Sequence, residues 1–179
     1  SAVDVEDLTA VEILSHRLMG EHLALYREAA PGFENAFLML SAPQLGVRHA
    51  RRLRGVARVT RESWDGRVWP DEIGVSPSLA PQFANVSVPY GALVPERLDG
   101  LLAPGRPLSC DPSSHSFLRE IPQCWLTGQA AGAAAALAAA RGVAPRAVPV
   151  AALQAALRGQ GVHFSPAEYA AGMGAVAAD

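Results

Sequence analysis

The stretch GRPLSCDPSSHSFLREIPQCWLTGQAAGAAAALAAARG, Gly105 to Gly142, decides how the chain is read. Just before it, the apolar run GLLAP at Gly100–Pro104 predicts a short strand. The polar turn that follows leads into a helix of alanine and glycine. That helix is expected to start near Ile121-Pro122, since proline is tolerated in a first turn, and to end at Arg141-Gly142 with a basic last turn and a glycine cap. Strand, polar turn and small-residue helix, in that order, bring backbone N–H groups and a helix N-terminus up to an anionic or electron-rich ligand. Gly128, Gly132 and Ala136 recur on one face. A glycine inside a helix costs about 1 kcal/mol relative to alanine, so the pair calls for a close approach by another backbone or by a flat ligand. Helix-on-sheet packing with no ligand stays open on pattern alone.

Upstream, Thr9 and Glu12 have the spacing of a capping box, and Val11, Leu14, Leu18 and Leu25 recur at helical spacing, which predicts an amphipathic helix of about five turns ended near Ala30 by Pro31-Gly32. His16 and His22 read as surface residues of that helix. The run AFLMLSA from Ala36 suits a buried strand, and VRHARRLRGVARVT predicts one or two strands bent at Gly55. Thr60–Asp65 resembles a short capped turn. Arg67–Ala84 is rich in Pro, Ser and Gly, with Trp64 and Trp69 as anchors. In NVSVPYGALVP, Pro89 restricts extended structure to an edge or a strand end. Val150–Gly161 predicts a small helix, and the small-residue tail from Ser165 is expected to be loosely held.

Composition bounds the function. The 179 residues carry a formal net charge of −2, which gives no electrostatic footprint for nucleic acid. Arg48, Arg51, Arg52, Arg54, Arg58 and Arg61 cluster in one segment, as a solvated strand face or as partners of acidic neighbours. Cys110 and Cys124 are too few for a zinc site or a disulfide framework, and no metal set is expected. No apolar leader stands near Ser1, and Gly128–Ala140 is too short to span a bilayer. A reducing, cytoplasmic setting with no membrane partner is expected. The start at Ser1 without methionine fits loss of an initiator or an internal cleavage.

Four segments, Pro31–Gly55, Val68–Gly74, Val88–Arg106 and Cys110–Val162, follow one another in a familiar order. Together they resemble the C-terminal half of FAD-dependent oxidoreductases, the two-dinucleotide-binding flavoproteins related to the fumarate reductase and succinate dehydrogenase flavoproteins. The most specific parts are the GQAAG block with the preceding LREIP, and the GVRxxRR segment. The resemblance implies an α/β fold: part of a substrate-binding region over 1–98, the last strand and helix of a Rossmann-like FAD domain with a C-terminal helix over 99–162, and a tail over 163–179. The sequence holds no GxGxxG loop. A partner chain carrying the N-terminal half is therefore expected, with Ser1 the product of processing, self-cleavage or a separate gene.

The resemblance also implies roles. Gly105 and Arg106 match a turn that passes close to the cofactor, Asp111 an acid near the ribityl and phosphate region, and Arg119, Glu120, Ile121 and Pro122 a backbone lying against the flavin ring. The N–H groups of the helix after Phe117, from Leu118 to Gln123, carry the positive end of its dipole, about half a charge. His115 faces ring or substrate as an acid/base or as a hydrogen-bonding residue. Arg48 holds an anionic substrate group or a structural ion pair, and His49 stands where an acid is common. Tyr90 points into the substrate cavity or packs there. The resemblance thus implies hydride transfer between a small organic substrate and FAD in a heterodimer; the alternative is a non-catalytic assembly subunit.

Overall fold

A computed structural model describes residues 1–77, 85–165 and 167–168, and the chain divides into two compact units, 1–51 and 52–179. The first unit is dominated by α1 (Val5–Ala29), a 25-residue helix. It begins a turn earlier than the Thr9–Glu12 pair predicts, because Asp4 caps it by accepting from the Asp7 N–H at 3.1 Å. Thr9 instead donates its hydroxyl to the Val5 carbonyl one turn back. No residue of α1 is buried, and Tyr26 stacks on Phe33 at 5.6 Å where the chain leaves the helix. The strand expected in AFLMLSA does not form, and Phe37, Leu38, Met39 and Leu40 are exposed. A strand needs a ladder partner, and the described residues of this unit offer none.

The second unit is a mixed α/β assembly around a two-stranded antiparallel sheet, β1 (Glu72–Ser76) and β2 (Val86–Pro89), with Val75 opposite Ser87 and Ser76 opposite Val86. Every residue of both strands is buried, Pro89 closing β2 as its missing N–H requires. Gly74 sits at φ +137°, and a Cβ there would lie 2.7 Å from Leu126. Three helices follow: α2 (Pro112–Leu118), α3 (Ile121–Arg141) and α4 (Val150–Gly159). α3 and α4 pack on β1 and on each other. α3 turns Ala130, Ala131, Ala134 and Ala138 inward, side chains short enough to let it approach closely, while α4 contributes Leu153 and Leu157. Ile73, Val88, Leu93, Leu108 and Leu118 complete the core. Gly142 ends α3 at φ +63°, as its position after Arg141 predicts.

Two expected strands are looser than their patterns. Residues 52–60 are extended but join their neighbours through single bridges, Gly55 to Pro95 and Val59 to Cys110. GLLAP is no strand: Gly100 takes φ +73°, Pro104 lacks an N–H, and Ala103 alone bonds Leu93. The short turn expected at Thr60–Asp65 is present at Arg61–Ser63, with Thr60 and Ser63 capping one another. The boundary expected at residue 98 falls inside this second unit. The beginning of the tail is anchored, with Phe164 buried and the Ser165 N–H on the Glu72 carboxylate at 3.1 Å; residues 166 and 169–179, like 78–84 of the Pro-rich loop, lie outside the described residues.

Candidate functional site

The polar turn at Gly105–Arg106 is clamped between α2 and α3. Gly105, at φ +76°, donates its N–H to the Thr127 hydroxyl at 2.9 Å, and the buried His115 donates from Nε2 to the Arg106 carbonyl at 3.1 Å. Thr127 sits on α3 and His115 on α2, so both ends of the turn are tied to helices. A Cβ on Gly105 would approach Cys124 Sγ only to 3.9 Å, so the backbone is open at that point. Burial raises the Cys124 thiol above its ordinary value, against a lowering influence from Arg106.

The stretch after Phe117 is two helices, not one. Pro122 has no N–H to give the Leu118 carbonyl, so α2 ends there and α3 starts afresh. This corrects the expected run of free donors from Leu118 to Gln123. Leu118 lies within α2, the Arg119 N–H bonds His115, and the Glu120 N–H bonds Phe117. The N–H groups left to the start of α3 are those of Ile121 and Gln123, and the N-cap residue Glu120 supplies no side-chain cap. Its carboxylate instead lies 3.7 Å from Arg119.

Around this N-terminus the side chains divide sharply. Leu118 and Gln123 point into the core, Gln123 donating to Ser76 at 3.1 Å while its Oε1 has no partner among the described residues. Phe117 meets Trp64 edge-on at 5.3 Å, and the Trp64 indole donates to Ser114. Ile121 and Trp125 are 63% and 72% exposed. Gly128, Gly132 and Ala136 continue their stripe, also exposed, with nothing within 4 Å of a Cβ built on either glycine. The small-residue stripe is thus not the face on which α3 packs in this chain. The packed face was marked by Gln123 and Thr127, two polar residues four apart among alanines.

Asp111 caps α2: its carboxylate accepts from the Ser114 N–H at 2.6 Å and from the Arg61 N–H at 3.0 Å. Burial pushes its pKa up, but the hydrogen bonds from Ser114 and Arg61 and the Arg58 charge outweigh it and hold the carboxyl below the ordinary range. Tyr90, buried just after β2, donates to the Pro145 carbonyl at 2.8 Å, and burial pushes its hydroxyl up to about 12. Arg48 belongs to the first unit, where it lines a cleft of about 250 Å³ with Asp7 and His49. The structure therefore brings Gly105, Arg106, His115 and the start of α3 together, and uses Asp111 and Tyr90 in bonds within the fold. Among the described residues no cluster suited to a metal ion occurs, and no helix is long and apolar enough to cross a membrane.

An uncapped helix N-terminus beside an open glycine turn is a place where an anionic group can be received. The sequence model of the FAD dependent oxidoreductase family matches residues 1–157, and the chain belongs to that family, with FAD as its cofactor. No curated protein and no solved structure matches it. The residues present fit the group: Glu120 leaves the α3 N-terminus without a side-chain cap, and Ile121 and Trp125 lie bare beside it.

Proposed function

We propose that this chain is the C-terminal half of a heteromeric FAD-dependent oxidoreductase, working with a partner chain that carries the N-terminal GxGxxG half, and that the pair transfers a hydride between a small organic substrate and FAD. The observation that carries the reading is the exposed stripe of α3, Ile121, Trp125, Gly128, Gly132 and Ala136, ending at an uncapped N-terminus. Its Gly128, Gly132 and Ala136 end, poor in bulk, suits the close approach of another backbone, and Ile121 and Trp125 give it apolar area to bury. The exposed apolar residues of the first unit, Ile13, Leu14 and Phe37–Leu40 among them, support a partner in the same way.

When bound, FAD supplies the hydride acceptor or donor. The protein's own part is positional and electrostatic. The Ile121 and Gln123 N–H groups at the positive end of α3 favour negative charge on the reduced ring. Gly105 and Arg106, held by Thr127 and His115, would meet the bound cofactor. His115 keeps the turn in place through the Arg106 carbonyl, and a proton-transfer role for it requires that this bond be exchanged for one to substrate.

The hydrogen bonds of His115 and Tyr90 to backbone carbonyls favour a second reading, a non-catalytic assembly subunit of a flavoprotein complex. Co-purification with the natural partner separates the two. The flavin reading expects about one flavin per complex in the visible spectrum, and a colourless complex at full occupancy overturns it. Turnover that survives His115→Ala and Arg119→Ala in an intact complex favours assembly. Intact mass and N-terminal sequencing of every chain in the complex test the heteromer and the origin of Ser1.

A further inference from the structure

We propose that a cleft of about 490 Å³ in the second unit, walled by Arg52, Arg58, Ser109 and Cys110, is a binding site for the carboxylate of a small organic acid. The argument begins from charge. Three guanidinium groups, Arg52, Arg54 and Arg58, line this cleft against one carboxylate, Glu96. Glu96 is taken by Arg54 at 2.8 Å. Asp111, which feels the Arg58 charge, has its oxygens on the N–H groups of Ser114 and Arg61. Arg52 and Arg58 thus have no ion-pair partner among the described residues.

Arg52 gives the site its direction. Its guanidinium donates to the Cys110 thiol, while Nη1 is fully buried and has no acceptor among the described residues. With Nη1 sealed in the wall, the Arg52 charge has no counterion within the fold, and an anion in the cleft that Arg52 lines supplies one. The exposed fork of Arg58 matches the planar, two-oxygen geometry of a carboxylate. Leu53 on the wall and the buried Cys110, whose thiol burial pushes up to about 11 and so keeps neutral, leave room for a carbon skeleton. Gly55 builds the shape: a Cβ there would stand 2.7 Å from that of Ser109, so only glycine lets the two walls meet.

The test is calorimetric titration of the full 179-residue chain, without flavin, with malonate as the probe and inorganic phosphate as its counterpart. This readout is independent of the flavin reading. Malonate is expected to bind once per chain and at least about tenfold more tightly than phosphate, and both Arg52→Gln and Arg58→Gln to weaken it by about tenfold or more. Arg67→Gln, on the cation stacked at 3.8 Å over Trp69 and outside the cleft, is expected to change nothing. Arg58 is exposed, so its variant keeps the fold and decides the matter if Arg52→Gln does not fold. No saturable malonate binding, phosphate binding as tight or tighter, or binding that survives Arg58→Gln overturns the proposal.

Discussion

Replacing Asp111 by alanine separates a carboxylate that holds the fold from one that only awaits a cofactor. The substitution removes the cap of α2, a bond of 2.6 Å to the Ser114 N–H, and a bond of 3.0 Å to the Arg61 N–H fifty residues away. Loss of an N-cap costs about 1 kcal/mol. The second bond has a charged acceptor and contributes about 1.5 kcal/mol, the low end for such bonds because the group is partly exposed. The sum, about 2 to 3 kcal/mol, corresponds to a fall in Tm of about 6 to 12 °C for a unit of this size. Asp111→Asn keeps one side-chain oxygen as acceptor and should lose about half as much. Because the carboxyl is held below its ordinary value, its contribution is present above the unfolded-state pKa and lost as pH falls through the lower folded one. Urea unfolding of wild type and Asp111→Ala should therefore show the full gap at pH 7 and a closing gap below about pH 4. A gap under about 0.5 kcal/mol at pH 7, or one that persists undiminished in acid, refutes this account of Asp111.

Further outcomes follow from single contacts. Gly74→Ala places a Cβ at φ +137° within 2.7 Å of Leu126 and 2.9 Å of Val162, and should destabilise by about 2 kcal/mol or more in thermal unfolding. Tyr90→Phe leaves the Pro145 carbonyl without its partner and should cost about 1 to 3 kcal/mol; in wild type, spectrophotometric titration should show a tyrosine ionising near 12 that Tyr90→Phe removes. Thiol labelling followed by peptide mass mapping should modify Cys124 well before Cys110, which is buried with its pKa pushed to about 11, until the chain is unfolded. Thr127→Val removes the acceptor for the Gly105 N–H and should lower the flavin content of the natural complex more than its melting temperature, since it loosens the turn rather than the core.

How much of this was legible in advance depended on how local each signal was. Proline at a first turn, glycine after Arg141, Pro89 at a strand end and the Thr60–Ser63 cap were each settled within a few residues, and all four are found where the pattern puts them. The break between α2 and α3 was carried by the sequence as well, in Asp111-Pro112 and Pro122, two helix starts in one stretch. Placing free donors from Leu118 onward, without a helix at Pro112–Leu118, assigned donors to Arg119 and Glu120 that the end of α2 consumes. Strands at AFLMLSA and GLLAP failed for the opposite reason, since a strand is defined by the distant backbone it pairs with.

The sequence by itself determined the helices, the turn chemistry that bounds them, and enough ordered segments to reach a flavoprotein family. These rest on torsional preferences and on apolar residues at helical spacing, which act over a few residues at a time. Only the tertiary structure decided which way each helix faces. α3 buries Gln123 and Thr127 with its alanines and leaves the glycine stripe bare, because the cheap burial of alanine lets two polar side chains enter once Ser76 and Gly105 meet them. The same holds for the arginines: six lie close in sequence, yet among the described residues folding gave Arg54 a carboxylate and left Arg52 with a buried Nη1 and a thiol for a partner. Charge is written in the chain, but whether a charge finds its counterion is settled only when segments fifty residues apart are brought together.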